Sequence, residues 1–139
     1  MLGVDYGIRR VGVAVSDPTG TLASPLTTVR RRAGKRPPVA AVAELARIEE
    51  VAGIVMGLPL TLRGEEDEWC AEVRRFGESL GDRTGLPVTL VDERFTSVQA
   101  ERAVRSAGLR RKEREDKARV DSGAAAVILQ SWLDGAPAR

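Results

Sequence analysis

The sequence contains no histidine, one cysteine (Cys70) and few aromatic residues, which make up 4% of its 139 positions. A single cysteine excludes an intrachain disulfide, and without histidine a zinc site of the usual Cys/His kind is excluded as well. The scarcity of aromatic rings argues against a stacking platform for unpaired bases. No segment approaches the roughly 20 apolar residues that a membrane span requires. These absences predict a reduced, cytoplasmic protein that binds no membrane and recognises ligands by shape and charge.

The composition is that of a globular domain, with 42% hydrophobic and 30% charged residues, and we expect residues 1–139 to form a single domain. The net charge is only +2, but the basic residues are clustered. Clustered arginines attract nucleic acid through its phosphates, although two solvated loops would give the same pattern. The clusters are Arg30, Arg31, Arg32, Lys35 and Arg36, and Arg110, Arg111, Lys112, Arg114, Lys117 and Arg119.

Hydrophobic periodicity predicts alternating strands and helices after an opening hairpin. The predicted strands are 2–7, 10–17, 22–29, 53–57 and 87–92. The predicted helices are 39–51, a helix beginning at 65–68 with the stripe Trp69, Val73, Phe76 and Leu80, then 96–108 and 117–133, with a mobile basic loop at 108–117. We therefore expect an α/β fold with a mixed five-stranded sheet, flanked by helices, whose first three strands form an antiparallel meander. The last helix is so apolar that most of its circumference must be covered.

An aspartate lies in the middle of the first predicted strand, where this residue type is depleted. By alternation Asp5 shares a face with Gly3 and Gly7, and the next strand places Gly12, Ala14 and Ser16 on one face. If these small faces align, we expect Asp5 to project into open space. The alternative is that the small residues admit a closely packed helix and that Asp5 caps it or forms a salt bridge.

Two further acidic positions are candidates for the same site. Asp92 and Glu93 end a strand, at the sheet edge where α/β folds bind ligands. Adjacent residues point to opposite faces, so only one of the two can face Asp5. Alternation does not say which one. Either could instead be a turn residue. Asp121 shares a helix face with Ala125 and Ile128, which are expected to face the core. Alternatively, Asp121 could simply compensate the helix dipole.

Three carboxylates within about 4 to 6 Å of one another would raise each other's pKa values unless a cation joined them. Ligation by oxygen alone suits Mg²⁺ or Mn²⁺, and the lack of histidine leaves a metal-activated water as the economical nucleophile.

Four segments together resemble one known family: DYGIRRVGVAVSD at 5–17, GLPL at 57–60, DERFTS at 92–97 and DKARVDSGAAAVILQSWL at 116–133. The chain is similar to the YqgF (RuvX) family, whose members are described as Holliday junction resolvases and as pre-16S rRNA nucleases. The resemblance implies a ribonuclease H-like fold with Asp5, Glu93 and Asp121 as catalytic metal ligands. Ile8 is one of two departures from the family pattern, since relatives often carry a polar residue after DYG, and the other is that relatives usually have extra residues before the first strand.

The implied function is hydrolysis of phosphodiester bonds in structured RNA or DNA with Mg²⁺ or Mn²⁺. Processing of the 5′ end of pre-16S rRNA is the first expectation, Holliday junction resolution the second, and a non-catalytic nucleic-acid or transcription partner the third. A resolvase that cuts two strands symmetrically would act as a homodimer. The residues expected to contact phosphates are Arg9, Arg10, Arg94, Arg114 and Lys117.

Overall fold

The computed structural model describes residues 1–31, 36–61, 63–93 and 117–135, with side chains from residue 122 onward in the last range. The strands are β1 (Leu2–Tyr6), β2 (Arg10–Ser16), β3 (Ala23–Arg30), β4 (Ile54–Leu58) and β5 (Val88–Asp92). The helices are α1 (Val39–Ile48), α2 (Glu68–Thr84) and α3 (Lys117–Gly135).

The five strands form one mixed sheet in the order β3-β2-β1-β4-β5. β1, β2 and β3 pair antiparallel, whereas β1 with β4 and β4 with β5 pair parallel. The short hairpin connection requires the antiparallel pairing, and the helical connections permit the parallel pairs. The predicted α/β architecture, including the antiparallel meander, is confirmed.

Within the described residues, the ends of the predicted elements agree with the structure to within two residues, except at one helix end. α1 ends at Ile48 and not near Val51, because Glu49 caps the helix and Glu50 adopts a positive φ of 52°. A residue in this left-handed region terminates a helix. The prediction extended the helix to Val51 because this residue is apolar. The predicted helix 96–108 and the basic loop up to residue 116 lie outside the described residues. Within the described part of the chain, no helix has the length and apolar character of a membrane span.

α1 and α2 cover one face of the sheet. Leu2, Val4 and Tyr6 alternate along β1 toward this side and pack in a core that includes Ile54 and Met56 of β4. The apolar stripe of α2 is confirmed, since Val73, Phe76 and Leu80 are buried, and Trp69 packs against the same core. Asp67 begins α2 by accepting a hydrogen bond from the Cys70 backbone N–H at 3.0 Å.

α3 covers the other face and packs very closely on β1. A Cβ atom on Gly3 would stand 2.7 Å from Leu129 Cβ and 2.9 Å from the Ala125 carbonyl oxygen. The side chain of Gln130 bonds the backbone of Thr21 and Ala23, beside the beginning of β1. α3 therefore runs opposite to β1, and its first turns lie toward the carboxyl end of that strand.

The coverage predicted for the last helix is also confirmed. Between residues 122 and 135 only Ser131 and Asp134 are exposed. Ala124, Ala125, Ile128 and Leu129 are buried against the small-residue face of the sheet.

Replacing Gly3 by alanine should destabilise the protein, because the new methyl group would overlap the α3 backbone and Leu129. We expect a loss of about 1 to 3 kcal/mol in the free energy of unfolding, as for other overpacked cores. Gly81→Ala in α2 is the matched control, because its Cβ meets its nearest neighbours at ordinary distances of 3.4 and 3.6 Å. There the free energy of unfolding should rise by about 0.5 to 1 kcal/mol, because alanine is favoured over glycine inside a helix. Urea denaturation measures the free energy of unfolding of both variants. Equal changes of the same sign in Gly3→Ala and Gly81→Ala would contradict the packing described.

Candidate active site

Asp5 lies on the sheet face that α3 covers. The register pairs Gly3 with Ala14 and Asp5 with Gly12, so the small faces of β1 and β2 align as the sequence predicts. The expectation that Asp5 projects into open space is wrong, because Asp5 is only 3% exposed. The aligned small residues admit α3 closely, and the carboxylate is enclosed in the layer between helix and sheet.

Glu93 follows β5 directly and is equally buried, at 2% exposure. Its side chain lies over Gly57 of β4, since a Cβ on Gly57 would overlap Glu93 Oε1 and stand 2.8 Å from Glu93 Cγ. The same Cβ would stand 2.8 Å from Ile128 Cδ1 of α3. Only glycine at position 57 leaves room for this carboxylate between the sheet and α3.

Gly57 also relates the two acids to each other. β4 lies between β1 and β5, with Val4 paired to Met56 and Gly57 paired to Val91, so Asp5 and Gly57 are at the same level of adjacent strands. Neighbouring strands lie about 4.8 Å apart. Glu93 starts from the strand beyond β4, and its carboxylate reaches back over β4 toward Asp5. The structure therefore brings Asp5 and Glu93 to one face at the carboxyl ends of parallel strands.

Asp92 lies on the opposite face. It is paired with Leu58, which is buried in the α1 and α2 core together with Met56. Leu90, two residues earlier on β5, packs against the same core. Of the two adjacent acids, Glu93 is thus the one that shares a face with Asp5.

Position 121 lies in α3, one helical turn before Ala125. Because Ala125 contacts Gly3 and the helix runs opposite to β1, this turn lies toward the Asp5 end of the strand. The side chain of Asp121 is outside the described residues. Among the side chains that are described, no three acidic, cysteine or histidine residues form a group suited to a metal ion.

Of the five residues predicted to contact phosphates, two have described side chains. Arg9 is exposed and Arg10 is half-buried in the hairpin after β1. Arg94 and Arg114 lie outside the described residues, as does the side chain of Lys117. Arg9 and Arg10 lie at the same end of β1 as Asp5.

Arg31 has a role that sequence reasoning missed, because it was counted within a basic surface cluster. Its guanidinium group lies 4.8 Å above the ring of Tyr6 and pairs with Glu72 of α2 at 3.0 Å. It also donates to the Gly7 carbonyl oxygen at 3.4 Å. The available signal was the antiparallel pairing of β2 and β3, which sets Arg31 beside Arg9.

The network behind the site also includes Tyr6, whose ring stacks on Phe76 with centroids 4.3 Å apart. Burial raises the pKa of the Tyr6 hydroxyl, and the positive charge of Arg31 partly opposes the increase. Tyr6 Oη has no hydrogen-bond partner among the described residues. Tyr6 therefore contributes a packed ring to this network, on the face opposite to Asp5.

The fold is that of ribonuclease H-like resolvases. The structure is similar to RuvC of Thermus thermophilus in complex with a Holliday junction substrate, with a TM-score of 0.56, 14% identity and coverage of 98% of this chain and 96% of that one. It is also similar to the fowlpox virus resolvase in complex with Holliday junction DNA, with a TM-score of 0.56, 11% identity and coverage of 98% and 97%.

A more specific assignment comes from sequence. Residues 1–135 match the RuvX family, described as Holliday junction resolvase. The chain is 42% identical over 137 residues to a protein of Chloroflexus aurantiacus, covering 96% of this chain and 86% of that protein, and 45% identical over 133 residues to one of Anaeromyxobacter dehalogenans, covering 96% and 95%. Both carry the name "Putative pre-16S rRNA nuclease". The chain belongs to the RuvX family.

Replacing Gly57 by alanine should displace the Glu93 carboxylate, because the methyl group and Oε1 would occupy the same space. We expect the free energy of unfolding to fall by about 1 to 3 kcal/mol. In a Glu93→Ala background Oε1 and Cγ are gone, so the same substitution should cost clearly less. A double-mutant cycle by urea denaturation measures this coupling. An equal cost in both backgrounds would show that Glu93 does not lie over Gly57.

Proposed function

We propose that this protein is a divalent-metal-dependent nuclease that hydrolyses phosphodiester bonds in nucleic acid and processes the 5′ end of pre-16S rRNA. The observation that carries the proposal is the pair of buried carboxylates, Asp5 and Glu93, brought to one face across Gly57. The named relatives support the choice of RNA, since two of them share 42% and 45% identity with nearly the whole chain.

Two carboxylates enclosed together repel each other and lose hydration, so their charged forms need a compensating cation. The donors on this face are carboxylate oxygens and the chain has no histidine, a set that fits Mg²⁺ or Mn²⁺ better than zinc. We propose Asp5, Glu93 and Asp121 as the ligands. When bound, the ion would supply a water of lowered pKa and would neutralise charge on the phosphate.

The protein's own residues position the carboxylates and the phosphate, and they limit the access of water to the site. Asp5 is on a central strand between β2 and β4, so backbone pairing on both sides of this strand fixes the position from which its carboxylate projects. Ile128 of α3 limits the space around the Glu93 carboxylate. We propose that Arg9 and Arg10 contact phosphates beside the reacting group, and that Arg94, Arg114 and Lys117 extend this contact. The attacking water would then approach the phosphorus opposite the leaving oxygen.

The alternative substrate is a four-way DNA junction. It is favoured by the shared fold, since RuvC and the fowlpox virus resolvase were both solved with Holliday junctions. Resolution of a junction cuts two strands symmetrically, so it would need a homodimer with two copies of the Asp5 site. A non-catalytic nucleic-acid or transcription partner is the remaining alternative. The ribosomal precursor as substrate would place the protein in the cytoplasm.

Asp5→Asn and Glu93→Gln should each lower kcat by more than about 100-fold, since residues that merely orient metal ligands already contribute 10- to 100-fold. Asp92→Asn is the matched control, because it removes the adjacent charge on the opposite face, and its kcat should stay within about threefold of the wild type. The measurement is cleavage of a pre-16S rRNA fragment, a four-way junction and an unpaired strand, side by side with Mg²⁺ or Mn²⁺.

The preferred substrate in this assay separates the RNA and DNA alternatives. Activity that survives Asp5→Asn would indicate a contaminant or a different mechanism. Absence of cleavage of all three substrates by the wild type, with nucleic-acid binding retained, would favour the non-catalytic alternative.

Metal binding can be tested without any substrate. A ligand that binds only the native state raises the thermal midpoint, by an amount that grows with its concentration. Mg²⁺ or Mn²⁺ should raise the midpoint of the wild type and of Asp92→Asn, and should leave that of Asp5→Asn unchanged. Differential scanning fluorimetry over a metal titration provides the measurement. The same upward shift in Asp5→Asn would remove Asp5 from the metal site.

A further inference from the structure

The hairpin between β1 and β2 presents an apolar side chain to solvent at the Asp5 end of the sheet. Ile8 is 68% exposed, and two other large apolar side chains are comparably exposed, Leu22 at 60% and Ile48 at 59%. A single apolar side chain on a surface is common and by itself needs no explanation. Ile8 differs from Leu22 and Ile48 in being followed by two arginines and in lying only three residues from Asp5.

The backbone on both sides of Ile8 is held by hydrogen bonds. The Gly7 N–H donates to the Arg10 carbonyl oxygen at 2.9 Å, and the Arg31 N–H donates to the Arg9 carbonyl oxygen at 2.8 Å. The Arg31 guanidinium group donates to the Gly7 carbonyl oxygen. A group presented on an ordered backbone loses little conformational entropy when it binds.

Arg31 connects this hairpin to the body of the protein. Its guanidinium group stacks on Tyr6 of β1 and pairs with Glu72 of α2. The hairpin tip is therefore fixed to a strand and a helix at once. Ile8 projects from a hairpin that is held on both sides of it, and such support favours a side chain that must push other groups apart.

The charge around Ile8 favours a nucleic-acid partner. Arg9 follows it directly and is exposed, and Arg10 comes next. An exposed arginine beside an apolar side chain suits a surface that meets phosphates and base faces together.

Ile8 is also close to the candidate catalytic residue Asp5. It is three residues from Asp5, so their Cα atoms are at most about 10 Å apart. Bases along one strand of a duplex are spaced about 3.4 Å apart, and this distance corresponds to about three steps. A strand whose phosphate reaches Asp5 therefore has neighbouring bases within reach of the hairpin tip.

We propose that Ile8 is a wedge that inserts between bases within about three steps of the reacting phosphate and unstacks a paired step there, as apolar side chains do in other nucleic-acid complexes. Arg9 holds a phosphate beside the opened step. The proposal rests on the nuclease function above and extends it, because a wedge gives an advantage only on a paired stem or a junction. The substrate class is thus base-paired nucleic acid next to the cut.

Fluorescence of 2-aminopurine tests the wedge without cleavage. The base analogue is placed at each of the three steps beside the cut in a paired stem, and the stem is bound to Asp5→Asn protein with Mg²⁺. Unstacking should raise the fluorescence about twofold or more at one of these steps. Adding Ile8→Ser should abolish the rise, Ile8→Phe should preserve it, and Ile48→Ser, which changes a comparably exposed residue on α1, should have no effect. No rise at any step, or an equal rise with Ile8→Ser, would overturn the proposal.

Cleavage by proteins that retain Asp5 gives an independent readout. Ile8→Ser should lower kcat/KM for the paired stem about tenfold more than kcat/KM for an unpaired strand of the same sequence. A uniform decrease on both substrates would indicate a general binding role and would contradict the wedge. If the wild type cuts neither substrate, the nuclease function fails, while the fluorescence result still decides whether Ile8 opens a step.

Discussion

The close approach of α3 to the sheet is the constraint on which the rest of the structure depends. At Gly3 the helix backbone and Leu129 occupy space that any other residue would need, and at Gly57 the Glu93 side chain does the same. Contact at this range lets a helix with many alanines bury its surface, and it leaves a thin layer with little room for water. The carboxylates of Asp5 and Glu93 lie in this layer, so the packing that stabilises the fold also sets the surroundings of the site.

This arrangement places an electrostatic cost inside the core. Burial and mutual repulsion both disfavour the charged forms of two carboxylates brought to one face, and a sequence selected for stability alone would replace them. The side chain of Arg31 cannot compensate, since it lies on the other face and pairs with Glu72. The cost is explained if the pair holds a divalent ion during catalysis. Membership of the RuvX family agrees with this explanation.

The sequence predicted the parts of this fold that depend on local pattern. Alternation in β1 and β2 gave the aligned small faces, and the spacing of Val73, Phe76 and Leu80 gave the buried side of α2. Burial of Asp5 could not be read from alternation, because it depends on how closely a helix more than 110 residues later approaches Gly3. The position of the Glu93 carboxylate depends in the same way on Gly57, a residue of another strand. Alternation also left Asp92 and Glu93 equivalent until the strands were in register.

The structure further shows that the site is held from both faces of the sheet. α3 encloses the carboxylates on one side, while Arg31, Tyr6 and Glu72 fix the end of β1 and its hairpin from the other. The same short segment, residues 5–9, supplies a buried acid, a stacked ring, an exposed apolar side chain and an exposed arginine. Strand alternation sends the acid and the ring to opposite faces, and the hairpin turns the last two residues outward. The roles proposed for Asp5 and Ile8 would therefore stay in fixed register, because a shift of this hairpin would move both residues together.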